Sequence, residues 1–192
     1  MSRIPYLKHD ELDEQGRALW DVITSTRGDG VITAEGGLAG PFNPWLHAPE
    51  AGTRLADLGA TLRFKTSVDR RLLELAIITV GAHWQAEFEW WAHSRMARQH
   101  GVADEIVDAI GRGDPPPLTA DDERAVYNAA RQLVTTGRLD DAAYSAAAGV
   151  LGEQGIVEIV SLVGYYTLVS FTLNAFEVPL PPGVEPAFSA GR

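Results

Sequence analysis

The chain has 192 residues, 45% hydrophobic and 22% charged, an ordinary composition for one domain with a substantial core. Sixteen Lys and Arg against 26 Asp and Glu leave a formal net charge of −10, and no basic block offsets it, so no nucleic-acid partner is expected. Cysteine is absent, which excludes a disulfide framework, a thiolate nucleophile, an iron–sulfur cluster and Cys-ligated zinc.

Residues 1–13 are polar and lack the apolar core of a secretion signal, so a cytoplasmic protein is expected. A first helix is predicted over 9–25, where Leu12, Leu19, Val22 and Ile23 fall near helical spacing. Residues 27–44 are rich in Gly and Pro and form a long loop, a kind that is often functional. Phe42, with Trp45 and Leu46 just beyond it, is too apolar for a solvated linker, and should pack over a pocket or against another subunit. Pro49 starts a second helix with Leu55, Leu58 and Leu62 on one face. Thr66 or Ser67 is expected to cap a third, whose buried face is Leu72, Leu73, Ala76, Ile77 and Val80, with a break or bend at Gly81. A fourth covers 84–100 and stops at Gly101, and a short fifth covers 103–110.

The triple proline in 111–118 makes a rigid connector rather than a domain linker, since neither flank can fold alone. Thr119-x-x-Asp122 opens a helix to about 134, and Asp140 or Asp141 opens another through 151. A last helix spans 156–176 before Pro179, Pro181 and Pro182. It is long enough to cross a bilayer, yet it carries Glu158, Ser161, Tyr165, Tyr166, Ser170 and Asn174. A buried helix at a core or subunit interface is expected, and no membrane. No strand shows period-two alternation and no repeat is present. The fold class is all-α, one multi-helix domain over 1–192.

The chemistry lies in the stretch 74–93. Glu89 and His93 are four apart and share a helix face, as do His83 and Glu87. Pairs of this kind are commonly surface ion pairs. Here Trp84, Phe88, Trp90 and Trp91 surround them, and a helix ringed by aromatics is not a free surface helix. Some of His83, Glu87, Glu89 and His93 are then shielded from water, and a shielded carboxylate–imidazole pair is the basis of acid/base chemistry. The same groups could ligate zinc, iron or manganese, but no diagnostic spacing is present and no metal is assigned. His47 either makes local loop hydrogen bonds or lines a pocket. Asn174 satisfies a helix end, His100 complements a helix dipole and His9 is solvated. Tyr165, Tyr166 and Phe171 are read as core. No phosphate loop, nucleophile elbow or dinucleotide fingerprint occurs.

Arg70-Arg71-Leu72-x-Glu74-Leu75-Ala76-Ile77, followed by Glu89-Trp90-Trp91-Ala92-His93, resembles the carboxymuconolactone decarboxylase and alkyl hydroperoxidase D superfamily. Gly40-Pro41-Phe42, Leu46-His47-Ala48-Pro49-Glu50 and Asn174-Ala175-Phe176-Glu177-Val178-Pro179-Leu180-Pro181 are similar in outline. The resemblance implies an all-helical subunit with a central helix hairpin. It also implies a homo-oligomer, trimer or hexamer, with sites near subunit interfaces. In the peroxidase branch a Glu, a Cys-x-x-Cys pair and a His form a proton relay. Glu74 and His93 match the outer members, while the cysteine positions fall at Ala86 and Glu89. Disulfide exchange is thereby excluded.

The decarboxylase branch implies a small unsaturated acid or lactone as substrate and no cofactor. On that reading His93 donates a proton, Glu89 positions or recharges it, and Glu74 orients it from the neighbouring helix. Arg70 or Arg71 holds a carboxylate, unless both form surface ion pairs. Trp84 and Trp90 exclude water, and His83, Glu87, His47 and Phe42 complete the candidate pocket. Two other readings stand beside it: a redox protein with a bound metal, and a non-catalytic oligomeric binding protein.

Overall fold

Asp69 accepts a hydrogen bond from the Arg71 amide and so caps α4, Arg70–His83, the helix around which the chain packs. The structure is a computed structural model and describes residues 2–188. Every residue of α4 from Leu72 to Gly81 is buried, because neighbours cover it on all sides. α5 (Glu87–Gln99), α7 (Asp121–Thr136) and α8 (Asp141–Ala175) make the most extensive contacts with it. α1 (Glu14–Arg27), the short α2 (Phe42–Leu46) and α3 (Pro49–Phe64) pack on one another and join the rest through α3 and α8, and α6 (Asp104–Arg112) packs on α4 and α5. The described residues contain no strand beyond one isolated bridge, Ile32 to Leu38, inside the Gly/Pro-rich loop. The all-α class and the central helix hairpin are as expected.

The hairpin is α4–α5, and its turn is built in detail. α4 does not break at Gly81 but runs on to His83, since Gly81 is buried where Glu89 and Trp90 of α5 approach. Trp84 caps it, and Gln85 takes a left-handed φ of 48°. The Ala86 amide donates back to the Gly81 carbonyl at 2.9 Å, the long-range closing bond of a Schellman ending. Asn174 donates to the Trp84 carbonyl at 2.8 Å, so the end of α8 fixes this turn. α5 therefore begins at Glu87 rather than at 84.

Other boundaries differ for identifiable reasons. Thr66 and Ser67 do not cap α4; Ser67 instead donates from both its amide and its hydroxyl to Glu158 of α8. The first predicted helix divides into a 3-10 turn, His9–Glu11, and α1, because Asp13 accepts from the Gly16 amide and starts a fresh helix. α7 is capped at Ala120 and places Asp121, Asp122 and Glu123 in its first turn, where the dipole favours them. The last two predicted helices are both present: they run end to end as α8 and are separated at Gly152, whose φ of 71° and ψ of 176° are not helical. α8 is apolar and long enough to cross a membrane by length and composition, and half of that window is buried in this fold.

α3 packs closely because Gly52, Ala56 and Gly59 line its inner face. A side chain at Gly59 would fall on the Tyr165 hydroxyl of α8. Gly59→Ala should therefore cost about 1–3 kcal/mol, the usual penalty of overpacking, rather than gain the helix propensity of alanine. Urea denaturation reads the sign: a more stable Gly59→Ala would show that α3 and α8 have room to move apart.

Candidate active site

The hairpin sets two helices side by side with Glu74 on one and Glu89 and His93 on the other. All three are buried, with relative exposures of 0%, 4% and 6%. Glu74 Oε2 lies 2.6 Å from His93 Nδ1. Burial raises the Glu74 pKa, but His93 beside it, then Arg70 and Arg63, outweigh that and hold it below its ordinary range. An ionised Glu74 can only accept, so Nδ1 carries the proton and Nε2 is the free ring nitrogen. Arg70 Nη2 is 2.6 Å from Glu74 Oε1, a close ion pair whose angle falls short of a hydrogen bond. Arg70 also donates to the Arg63 carbonyl at 2.5 Å.

Glu89 Oε1 is 3.1 Å from His93 Nε2, again without hydrogen-bond alignment, and Glu89 accepts no hydrogen bond among the described residues. Its pKa is raised, first by burial and further by Glu74, with His93 and Arg63 opposing. The two carboxyls are thus driven apart, Glu74 toward its charged form and Glu89 toward its neutral one. Such divergence marks acid/base assignments in active sites. The imidazole sits between the carboxyls, so the three do not converge on one point as metal ligands would. Among the described residues no group of three or more His, Asp and Glu is arranged for a metal.

His93 and Glu89 form part of the wall of a cavity of about 360 Å³. Thr26 and Arg27 at the end of α1, Phe42 and Trp45 of α2, and Arg63 and Phe64 at the end of α3 enclose it. Phe88, Ala92 and Met96 of α5 and Tyr165, Tyr166 and Val169 of α8 complete it. The Tyr166 ring meets His93 edge-on at 5.1 Å between centroids. Burial, reinforced by Glu89, raises both tyrosine pKa values, so both hydroxyls remain donors. Neither has a hydrogen-bond partner among the described residues.

Of the residues singled out in the sequence, the structure brings Glu74, Glu89, His93 and Phe42 together, with Arg70 behind Glu74. The others lie elsewhere. Arg71 pairs with Asp122 at 2.6 Å and Glu123 at 2.5 Å and ties α4 to α7. Trp90 packs into a second cluster with Leu75, Ile78 and Phe188. Trp84 stacks edge-on with Phe171 and donates to Thr167 at 3.3 Å. Glu87 accepts from the amides of Ala187 and Phe188. His83 lines a separate cavity of about 140 Å³ with Tyr127 and Arg131, and burial followed by Arg131 lowers its pKa. His47 is exposed and bonds the Pro5 carbonyl at 2.9 Å, the local alternative. Sequence reasoning missed Arg27, Arg63, Tyr165 and Tyr166. The tyrosines were read as core, and the arginines end helices where dipole complementarity already accounts for a cation.

Residues 49–132 match the Carboxymuconolactone decarboxylase family, which covers α3 through most of α7. No curated protein matches by sequence. Among solved structures, a peroxidase-related protein from Ralstonia eutropha JMP134 with an alkylhydroperoxidase AhpD core superposes with TM-score 0.76 at 14% identity, over 94% of this chain and 93% of that one. A peroxidase-related protein from Silicibacter sp. TM1040 gives 0.69 at 13%, over 95% and 92%. A cysteine-to-alanine variant of the debrominase Bmp8, in complex with 2,3,4-tribromopyrrole, gives 0.70 at 15%, over 95% of each chain. The superfamily resemblance therefore holds: a decarboxylase-family segment lies within an AhpD-like fold.

The two carboxyls predict opposite pH behaviour. Glu74, depressed in the fold, contributes stability above its ordinary value of 4.5 that is lost as pH falls through the depressed one. Glu89, raised in the fold, works the other way: above its ordinary 4.5 the unfolded chain sheds the proton first, so stability falls as pH rises toward the folded value. Glu74→Gln should cost about 3–5 kcal/mol at neutral pH by stranding its cationic partners. Glu89→Gln should be stable to within about 1 kcal/mol and should flatten the decline above pH 4.5. Urea titrations from pH 5 to 8 test this, and parallel profiles for wild type and Glu89→Gln would refute the assignment.

Proposed function

We propose that this chain, with its decarboxylase-family segment in an AhpD-like fold, is an acid/base lyase or isomerase acting on a small unsaturated carboxylic acid or lactone without a cofactor. One observation carries the reading. Buried Glu74 holds His93 at 2.6 Å by Nδ1, while the rest of the ring and Glu89 form part of a cavity wall. A volume of about 360 Å³ suits a small molecule. The debrominase fold relative is described with a bromopyrrole, a small ring, which supports a similar occupant here.

In the decarboxylation, the bond from the carboxylate carbon to the conjugated carbon breaks and carbon dioxide leaves. The electron pair delocalises into the conjugated carbonyl, giving a dienolate. On this reading the hydroxyls of Tyr165 and Tyr166, which line the cavity and keep their protons, donate to its oxygen. Glu89, whose hold on its proton is strengthened by burial, passes one to His93 Nε2; the imidazolium delivers it to carbon, and Glu89 regains a proton from water. In an isomerisation the same pair removes and returns a proton at different carbons. Glu74 stays ionised throughout and stabilises the imidazolium. Phe42, Trp45 and Phe88 limit water.

The proposal includes a cytoplasmic homo-oligomer, trimer or hexamer. Exposed Val157, Val160, Leu168 and Phe171 along α8 support a subunit contact there.

Carbon dioxide release and double-bond migration, followed by gas trapping and NMR on 4-carboxymuconolactone and related unsaturated lactone acids, test the reading. Wild type should turn over at least one, and a folded His93→Ala should lose about 10²–10⁴ in kcat. A wild type inert across the panel, or a folded His93→Ala at the wild-type rate, would overturn it.

A further inference from the structure

We infer that Arg27 and Arg63 form a clamp for the carboxylate of a planar organic acid in the cavity that holds His93 and Glu89. The assignment rests on the acid/base reading for the view that this cavity is the substrate site, but not for the chemistry of the clamp.

Arg70, Arg71, Arg98 and Arg124 each pair with at least one carboxylate. Among the described residues no carboxylate pairs with the half-buried Arg27 or Arg63, although both line a partly buried cavity of a chain with ten more acidic than basic residues. The other arginines without a carboxylate partner among the described residues, Arg17, Arg95, Arg131 and Arg138, are exposed to water. Among the described residues Arg27 donates only to the Thr26 hydroxyl, at 3.0 Å. Arg63 Nη2 reaches only the Met96 sulfur, a weak acceptor, at 3.5 Å, and its buried Nε has no partner. Desolvation is the main influence on Arg27, and the nearby charge of Arg63 adds to it; both lower its pKa.

Their places at the ends of α1 and α3 do not account for this. A cation that serves the helix dipole engages the terminal carbonyls. Neither side chain donates to them; both lie over aromatic rings, Arg27 on Phe42 at 4.5 Å and Arg63 on Phe64 at 5.1 Å. Ring stacking fixes the plane of each guanidinium and leaves its edge to recognise a carboxylate. Two cations that repel each other, with donors unfilled, are what an anion would satisfy. The remaining wall is mainly aromatic, which favours a flat, conjugated body over a bare anion.

Binding of benzoate, methyl benzoate and inorganic phosphate, measured by calorimetry, tests the clamp without any need for turnover. Benzoate should bind, with methyl benzoate and phosphate weaker by about tenfold or more. Arg27→Gln and Arg63→Gln should each weaken benzoate by about tenfold or more, and the lysine variants should recover part of the loss. A wild type that ignores benzoate, an ester or a phosphate that binds as tightly, or folded glutamine variants with unchanged affinity would each overturn the clamp. Should the glutamine variants not fold, the three-ligand series on wild type decides. A protein that binds benzoate through these arginines yet shows no turnover defeats the acid/base reading alone. One that turns over yet ignores benzoate defeats the clamp alone.

Discussion

The structure depends on a carboxylate with no access to water inside a helix that is covered on all sides. Glu74 is completely buried among Leu72, Leu73, Leu75 and Ile77. An unpaired charge there would cost far more than one helix can supply, so partners must be delivered in fixed positions. Arg70 comes from one turn earlier on the same helix. His93 comes from nineteen positions further on and reaches Glu74 only if α5 returns beside α4 in one register. The left-handed Gln85, the Ala86 to Gly81 bond and the Asn174 tether at Trp84 set that register. A feature that looks catalytic is thus also structural, and the accuracy of the pair follows from the cost of misplacing it.

Much of this was legible in the sequence, for physical reasons. Glu89 and His93 share a helix face at any burial, and the aromatics around them signalled that the face is not free. Glu74 was identified through resemblance, since a lone Glu in an apolar run carries no pattern of its own. Arg71 takes the ion-pair alternative because adjacent residues on a helix point about 100° apart, and only its neighbour turns toward the hairpin. Trp90 was misplaced for a similar reason: a helix buried on several sides sends its aromatics into different clusters. The far wall of the cavity was illegible. It joins the ends of α1 and α3 to the middle of α8, and no local spacing encodes that meeting.

The two positions that hold cysteines in the peroxidase branch have diverged in different directions. Ala86 is buried and closes the turn with its amide, a task indifferent to the side chain. Glu89 remains in the site and changes its currency. A thiol exchanges electron pairs with a disulfide, whereas a buried carboxyl whose pKa is raised exchanges only a proton. The outer members, Glu74 and His93, serve either chemistry, because orienting an imidazole is the same task in both. The buried Glu74–His93 pair thus persists without the thiols, and the proposed acid/base chemistry is one use that such a pair can serve.

Net charge and local charge lead to different conclusions about partners. At −10 the chain repels a polyanion over its whole surface, and nucleic acid would find no footing. A small anion meets that field only within about 8 Å at physiological salt, beyond which it is screened. Once inside the cavity it is far nearer to Arg27 and Arg63 than to most of the surface carboxylates, and in a medium where charge interactions are several times stronger than in water. Burial raises the pKa of Glu89, the carboxyl in the same wall, and so weakens its opposition to an anion. The raised pKa thus bears on both proposals: it favours a carboxyl that can give up a proton to the ring, and it favours the arginines in deciding which anion the cavity admits.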